Sequence, residues 1–121
     1  MTVPRTYLDY LVDILTAIDD IEAFTRGLDE PSFTADRKTV YAVTRAIEII
    51  GEAVKRIPDT VQGRHLQVPW RPMARMRDRI IHGYDTVDPA IVWKTVTDDL
   101  PPTRARIASA LADEQRHGPG S

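Results

Sequence analysis

The stretch VYAVTRAIEIIGEAVKRIP, residues 40–58, decides the fold. Its branched apolar residues recur at intervals of three and four, the period of a helix with one buried face; they are Val40, Val43, Ile47, Ile50, Val54 and Ile57. Pro58 then ends the run, because a proline disfavours helical geometry in the residue before it. We predict a helix from about Ser32 to Ile57, with small residues where a second helix can approach closely: Ala42, Ala46, Gly51 and Ala53.

A similar pattern precedes this stretch. From Pro4 to about Arg26, apolar residues again recur at three and four; they are Tyr7, Leu11, Ile14, Ile18 and Ile21. Gly27 is expected to end this helix, and LDEPS, residues 28–32, is predicted to form a turn. The two long helices are therefore predicted to pack side by side as an antiparallel pair.

The remainder of the chain predicts shorter helices. Residues 59–69 read as a loop, and a third helix is expected from about Trp70 to His82, with Met73, Met76 and Ile80 facing inward. Asp88 followed by Pro89 indicates the start of a fourth helix, whose apolar positions are Ile91, Val92, Val96 and Leu100. Pro101 and Pro102 are predicted to break it and start a fifth, which carries Ile107 and Leu111.

No segment alternates as a strand does, so the fold class is all-α, an antiparallel bundle of about five helices. Residues 1–115 are expected to form one domain. The final stretch EQRHGPGS has no apolar anchor, and residues 116–121 are predicted to be a disordered tail.

Composition narrows the functional classes. The chain has 121 residues and no cysteine, which excludes disulfides and thiolate metal sites. Its histidines, His65, His82 and His117, form no close pair of the kind that binds zinc, so neither a metal nor another cofactor is expected. No apolar run approaches the roughly 18 residues of a membrane span, and no signal peptide is evident. We expect a cytoplasmic protein without a membrane partner.

The charge is unevenly distributed along the chain. The formal net charge of −2 argues weakly against a nucleic-acid partner. Residues 1–36, however, carry two arginines against eight acidic residues, a net charge of −6. Residues 53–83 carry seven basic residues against two acidic ones, a net charge of +5. The basic residues therefore surround the end of the predicted third helix.

That helix end carries the densest polar group in the chain, MRDRIIHGYD, residues 76–85. On a helix, Asp78 and His82 share one face, and the carboxylate could fix the tautomer of the imidazole. Gly83 is the residue type that commonly follows a helix end. His82 would then lie in the last turn, where Asp78 and the helix carbonyls are expected to raise its pKa above about 6.5. Such a histidine can act as an acid or base near neutral pH.

Arg77 lies about 140° around the helix from His82, but its long side chain could converge with the imidazole on a ligand. A planar guanidinium suits a phosphodiester oxygen. Other interpretations remain open from these residues alone. His82 could satisfy the helix dipole, the arginines could be solvated, Asp78 could pair with one of them, and Tyr84 could anchor the turn.

RDRIIHGY, residues 77–84, resembles the R-x4-H-x-Y motif of HEPN domains, specifically the HepT-like toxin group. The similarity spans about residues 5–113. RAIEIIGEAVKRIP resembles the long second helix of the group, and three shorter segments also match: VPW at 68–70, VDPAIVW at 87–93 and DDLP at 98–101. One position departs from the common pattern. The residue after the arginine is often Asn, whereas here it is Asp78, which would hold an imidazolium more strongly and repel substrate phosphate.

The resemblance implies a homodimer in which two copies of the motif face a shared cleft. It implies a metal-independent endoribonuclease acting on RNA, with Arg77 and His82 catalytic and Asp78 as the polar residue beside them. It also implies the toxin of a type VII-like toxin–antitoxin pair. An MntA-like minimal nucleotidyltransferase antitoxin would transfer AMP to Tyr84.

Within this interpretation, Arg71, Arg75 and Arg79 are candidates to bind the RNA backbone. Two alternatives stay open. One is a non-catalytic module that binds RNA or nucleotide and docks a nucleotidyltransferase partner. The other is a helical dimerisation domain without a ligand, which the basic cluster disfavours.

Overall fold

The computed structural model describes residues 5–82 and 86–117. The elements are α1 (Tyr7–Thr25), α2 (Glu30–Ala35), α3 (Arg37–Lys55), α4 (Asp59–Arg64), α5 (Trp70–Ala74), α6 (Met76–Ile80), strands β1 (Ile81–His82) and β2 (Thr86–Val87), α7 (Pro89–Lys94), a π-helical turn (Thr95–Asp99) and α8 (Leu100–His117). The predicted all-α fold is confirmed. None of the described helices is both long and apolar enough to cross a bilayer.

The centre of the fold is the pair α1 and α3, which make the most extensive contact between elements. Arg56, just past the end of α3, lies 5.9 Å from the ring centre of Tyr10 near the start of α1, so the two helices run antiparallel. The apolar positions predicted on α3 are all buried; they are Val40, Val43, Ile47, Ile50, Val54 and Ile57. On α1 the same holds for Leu11, Ile14, Ile18 and Ile21, and Tyr7 is partly buried.

The predicted second helix is divided into α2 and α3 at Asp36. The Asp36 carboxylate accepts a hydrogen bond from the backbone N–H of Thr39 at 3.1 Å, which makes it the N-cap of α3. In the same way, Asp29 caps α2 by accepting from the N–H of Ser32 at 2.9 Å. The prediction of one helix from Ser32 to Ile57 was therefore wrong at its beginning, because a second cap starts a new helix within it.

The segment predicted as a loop at 59–69 contains α4. Its Val61 is buried, and the chain after it is tied to α5 by the Trp70 indole N–H. That group donates to the carbonyls of Gln62 and His65 at 3.1 and 3.0 Å. The start of the motif region is thereby fixed to α4.

The C-terminal part is one nearly continuous run of helix. Asp88 caps α7 by accepting from the N–H of Ala90 at 3.0 Å, which confirms the predicted start at Pro89. The predicted break at Pro101 and Pro102 is absent, since the π-helical turn passes directly into α8. Both prolines follow the π-helical turn, where the usual hydrogen-bond pattern of the α-helix is already interrupted.

The predicted disordered tail at residues 116–121 was wrong for residues 116 and 117, which belong to α8. These residues are helical, and Glu114 is 1% exposed. The anchor is polar rather than apolar, so a search for hydrophobic residues could not find it.

Candidate functional site

The motif segment is held against α3 at Gly51. A Cβ atom at this position would lie 3.4 Å from the Ala74 carbonyl oxygen and 3.7 Å from that of Met73. The backbone of α5 therefore approaches α3 as closely as a methyl group allows. This confirms the predicted close approach at Gly51 and fixes α6, which follows at once, beside the same helix.

Arg77 is the motif residue whose surroundings are best defined. Its side chain is 46% exposed, and its Nε lies 3.7 Å from Oε2 of Glu48 on α3. The same carboxylate oxygen lies 3.7 Å from Nη1 of Arg45. Glu48 thus stands between two guanidinium groups and is itself only 27% exposed. Glu48 therefore lies within ion-pair distance of Arg77 at the surface of the protein.

The sequence analysis did not identify Glu48. A usable signal was present, because Glu48 lies three residues before Gly51 and so on the same face of the helix as the close approach. A carboxylate at that position is directed toward whatever segment packs there.

The motif histidine lies in a strand rather than in a helix. Helix α6 ends at Ile80, and β1 pairs antiparallel with β2, with His82 opposite Thr86 and Ile81 opposite Val87. The backbone N–H of Asp88 donates to the Ile80 carbonyl at 3.0 Å and closes the hairpin at its base. Branched residues at the ends of both strands favour this extended geometry.

The predicted helix to His82 was therefore wrong, and two inferences lose their basis. Asp78 and His82 do not share a helix face, and the helix carbonyls do not act on His82 as a last-turn residue. The Asp78 carboxylate lies 3.9 Å from Nη1 of Arg77 instead. Gly83 and Tyr84 lie outside the described residues, as does the side chain of His82.

The three arginines predicted to bind RNA do not line one surface depression. Arg71 borders a shallow groove of about 580 Å³ that also contacts Lys55. Arg79 lies 3.9 Å from Asp99 and lines a separate pocket of about 210 Å³ with Arg106. Arg75 is exposed at the junction of α5 and α6. Pro69 and Pro72 border both depressions, so the two adjoin at the start of α5.

A second polar cluster, partly buried, joins the end of α4 to α8. Arg64 donates to both oxygens of Glu114, at 2.7 Å from Nη2 and 3.1 Å from Nε. His65 Nε2 lies 2.6 Å from the same carboxylate. The Arg64 hydrogen bonds, with further ones from His65 and Tyr7, lower the pKa of Glu114 to about 2 despite the opposing effect of burial.

This cluster is also where the described residues come closest to a metal-ligand set. His65, Asp113 and Glu114 each bring one ligand atom within 4.8 Å of the others. Both Glu114 oxygens already accept hydrogen bonds from a guanidinium, which a cation would have to displace. The cluster is therefore best explained as a structural ion pair that joins α8 to the end of α4.

Comparison with known proteins gives a consistent result. A family model described as ribonuclease HepT-like matches residues 14–110. A protein of Thermococcus cleftensis named "Probable ribonuclease HepT" is 50% identical over 102 residues, which cover 84% of this chain and 93% of the relative.

Two further relatives carry more cautious names. A protein of Methanocaldococcus jannaschii named as a candidate RNase is 38% identical over 86% of this chain and 90% of its own length. Another, from Caldanaerobacter subterraneus, is 34% identical over 95% of this chain and 100% of its own length. No solved structure shows a significant match.

Proposed function

Because this chain belongs to the HepT-like ribonuclease family, we propose that it is an endoribonuclease that cleaves RNA without a metal ion. The observation that carries the proposal is the position of Arg77. Its guanidinium is at the surface, is held by Glu48, and precedes by five residues a histidine in the adjoining hairpin. A fixed cation beside a titratable group suits a phosphodiester.

In this proposal Arg77 stabilises the charge that develops on the phosphate during cleavage. His82 acts as the general base toward the ribose 2′-hydroxyl or as the acid toward the leaving oxygen, roles typically worth about 10²–10⁴ in rate. Asp78 supports the pair from its place beside Arg77. Arg71, Arg75 and Arg79 bind the RNA backbone on the flanks of the motif.

The test is RNA cleavage by the purified protein, with and without a chelator. We expect Arg77→Ala and His82→Ala each to abolish cleavage. Arg77 lies at the surface, so its replacement is expected to leave the melting temperature near that of the wild type, and thermal unfolding checks that both variants are folded. Arg26→Ala is the matched control, since Arg26 is an exposed arginine at the far end of α1. Wild-type cleavage by His82→Ala, or loss of activity on chelation, would contradict the proposal.

We also propose that the protein acts as a homodimer. Two exposed apolar side chains on α1, Val12 and Phe24, do not by themselves identify a partner. The support is the family resemblance, which implies two motifs facing one cleft. Light scattering at micromolar concentration is expected to give twice the 13.7 kDa mass of one chain. A monomer mass would count against it.

Regulation by AMP transfer to Tyr84 is the last part of the proposal. The protein would be the toxin of a type VII-like pair, silenced by an MntA-like nucleotidyltransferase antitoxin. Tyr84 follows His82 by two residues, so a nucleotide there would add bulk and negative charge beside the motif. Intact mass spectrometry after co-expression is expected to show an AMP adduct on the wild type and none on Tyr84→Phe. An adduct that persists in Tyr84→Phe would overturn the assignment.

A further inference from the structure

The outer face of α3 carries an exposed row of arginine and tyrosine. Arg37, Tyr41 and Arg45 follow one another at four-residue intervals and therefore lie on one side of the helix. Tyr41 is 52% exposed, although it is among the largest side chains on the described surface. One turn beyond Arg45 comes Glu48, which holds Arg77. The row of Arg37, Tyr41 and Arg45 therefore ends one helical turn from the residue that contacts Arg77.

Arg37 fixes the Tyr41 ring in place. Its Nη2 donates to the Tyr41 hydroxyl at 3.0 Å, and its Cζ lies 5.4 Å from the ring centre. The hydroxyl accepts this bond and Arg37 lies over one face of the ring, while about half of the surface of the residue stays exposed. Single-stranded nucleic acids stack their bases on partly exposed aromatic rings and on arginine guanidinium planes, and this pair offers both.

Beside this ring lies a pocket of about 420 Å³. Its walls come from α2, α3 and strand β2, with the start of α7; the lining residues are Thr34, Arg37, Val40, Tyr41, Thr86, Val87 and Pro89. Thr86 is paired with His82 across the hairpin, so the pocket adjoins the backbone that carries the motif histidine. Two threonine hydroxyls at its wall can donate to or accept from the edge of a base.

We propose that this pocket is a nucleobase subsite, in which one base of single-stranded RNA packs against Tyr41 while Arg45 faces a neighbouring phosphate. The proposal rests on the ribonuclease function and adds a substrate contact to it. Tyr41 and Glu48 are seven residues apart, about 10 Å along the helix. Stacked bases rise by about 3.4 Å each, so a length of about 10 Å corresponds to about three nucleotides. The base at Tyr41 is therefore bound close to the phosphate at Arg77.

Binding is measured separately from cleavage with a fluorescein-labelled 2′-O-methyl RNA, which cannot be cleaved through its blocked 2′-hydroxyl. We expect Tyr41→Ala to weaken binding by about 5- to 100-fold, the usual effect of removing one stacking partner. Tyr41→Phe keeps the ring and loses only the bond from Arg37, so its affinity is expected to stay within about threefold of the wild type. In the wild type, replacing a nucleotide by an abasic residue is expected to weaken binding at only one position of the RNA. In Tyr41→Ala the same replacement is expected to have no effect on binding.

Arg56→Ala is the matched control for Arg37→Ala. Both arginines stack on a tyrosine and flank α3, but Arg56 lies at the opposite end, against Tyr10. We expect Arg37→Ala to weaken binding and Arg56→Ala to leave it unchanged. Circular dichroism checks that each variant is folded.

The outcomes separate the two proposals. If Tyr41→Ala binds as tightly as the wild type, the subsite is wrong, whatever the nuclease activity. If the wild type binds through Tyr41 but does not cleave unmodified RNA, the ribonuclease proposal fails and the subsite stands. If Tyr41→Ala halves the mass in light scattering, this face is a contact between copies of the chain and the subsite is overturned.

Discussion

Glu48 is the carboxylate on α3 that pairs with Arg77. The carboxylate lies 3.7 Å from Arg77 and 3.7 Å from Arg45, and it is the least exposed member of this group. Sequence reasoning identified the arginine from its motif, but the partner could not be found that way. It lies 29 positions earlier and is related to Arg77 only by the packing of α6 on α3.

Glu48→Gln is therefore predicted to weaken catalysis through Arg77. The amide keeps the shape of the side chain and removes the charge that holds the guanidinium, so we expect kcat to fall about threefold or more. In an Arg77→Ala background the same change is expected to have no further effect, and this double-mutant cycle is the measurement. Glu22→Gln, which removes an exposed carboxylate paired with Arg26 on α1, is the control. Additive effects of Glu48→Gln and Arg77→Ala would show that Glu48 acts elsewhere.

At the scale of elements, the contact between α3 and α5 sets where the motif lies. The Ala74 carbonyl comes within 3.4 Å of the place where a Cβ atom at position 51 would be. A methyl group fits at that distance, whereas a longer side chain would need the space that α5 occupies. The glycine thus limits how far α5 and α6 stand from α3.

We predict opposite outcomes for two substitutions at Gly51. Gly51→Ala is expected to keep the fold and to stabilise it by up to about 1 kcal/mol, because alanine is the better helix former. Gly51→Leu is expected to push α5 outward, with a lower melting temperature and less RNA cleavage. Thermal unfolding and a cleavage assay on both variants provide the measurement. A Gly51→Leu protein as stable and active as Gly51→Ala would show that the contact is not limiting.

The elements also show what the sequence could and could not predict. The long helices were predictable, because each of their turns buries one apolar residue and the period is visible in the letters. The change from α6 to a strand at Ile81 could not be predicted, because only two residues of each strand are paired and so short a stretch shows no alternation. The N-cap at Asp36 was present in the sequence, but an apolar run that continues past a cap conceals it.

At the scale of the whole molecule, stability depends on a carboxylate near the end of α8. The pKa of Glu114 is lowered to about 2 in the folded protein, mainly by the hydrogen bonds from Arg64, against an ordinary value of 4.5. A lowered pKa stabilises the fold above the ordinary value, and this contribution is lost as the pH falls from about 4.5 toward about 2.

Glu114→Gln is predicted to lower the free energy of unfolding at pH 7 by about 2 kcal/mol, since hydrogen bonds to charged groups contribute about that much. The variant is also expected to lose less stability than the wild type between pH 5 and about pH 3, because it no longer carries the titrating group. Urea denaturation at several pH values measures both effects. Asp19→Asn is the control, because its ion pair with Arg104 is exposed and is expected to contribute little. Equal pH dependence in wild type and Glu114→Gln would contradict the assignment.

The bond between Arg64 and Glu114 joins residues 50 positions apart, and this separation has a consequence for biosynthesis. A ribosome translates the motif at 77–84 well before it reaches Glu114. Until that residue emerges, Arg64 and His65 lack their carboxylate, and the segment tied to them through Trp70 lacks its support. Arg77 and His82 are thus synthesised before the residue that completes this support. The order of translation therefore makes the folding of this region wait until α8 has been synthesised.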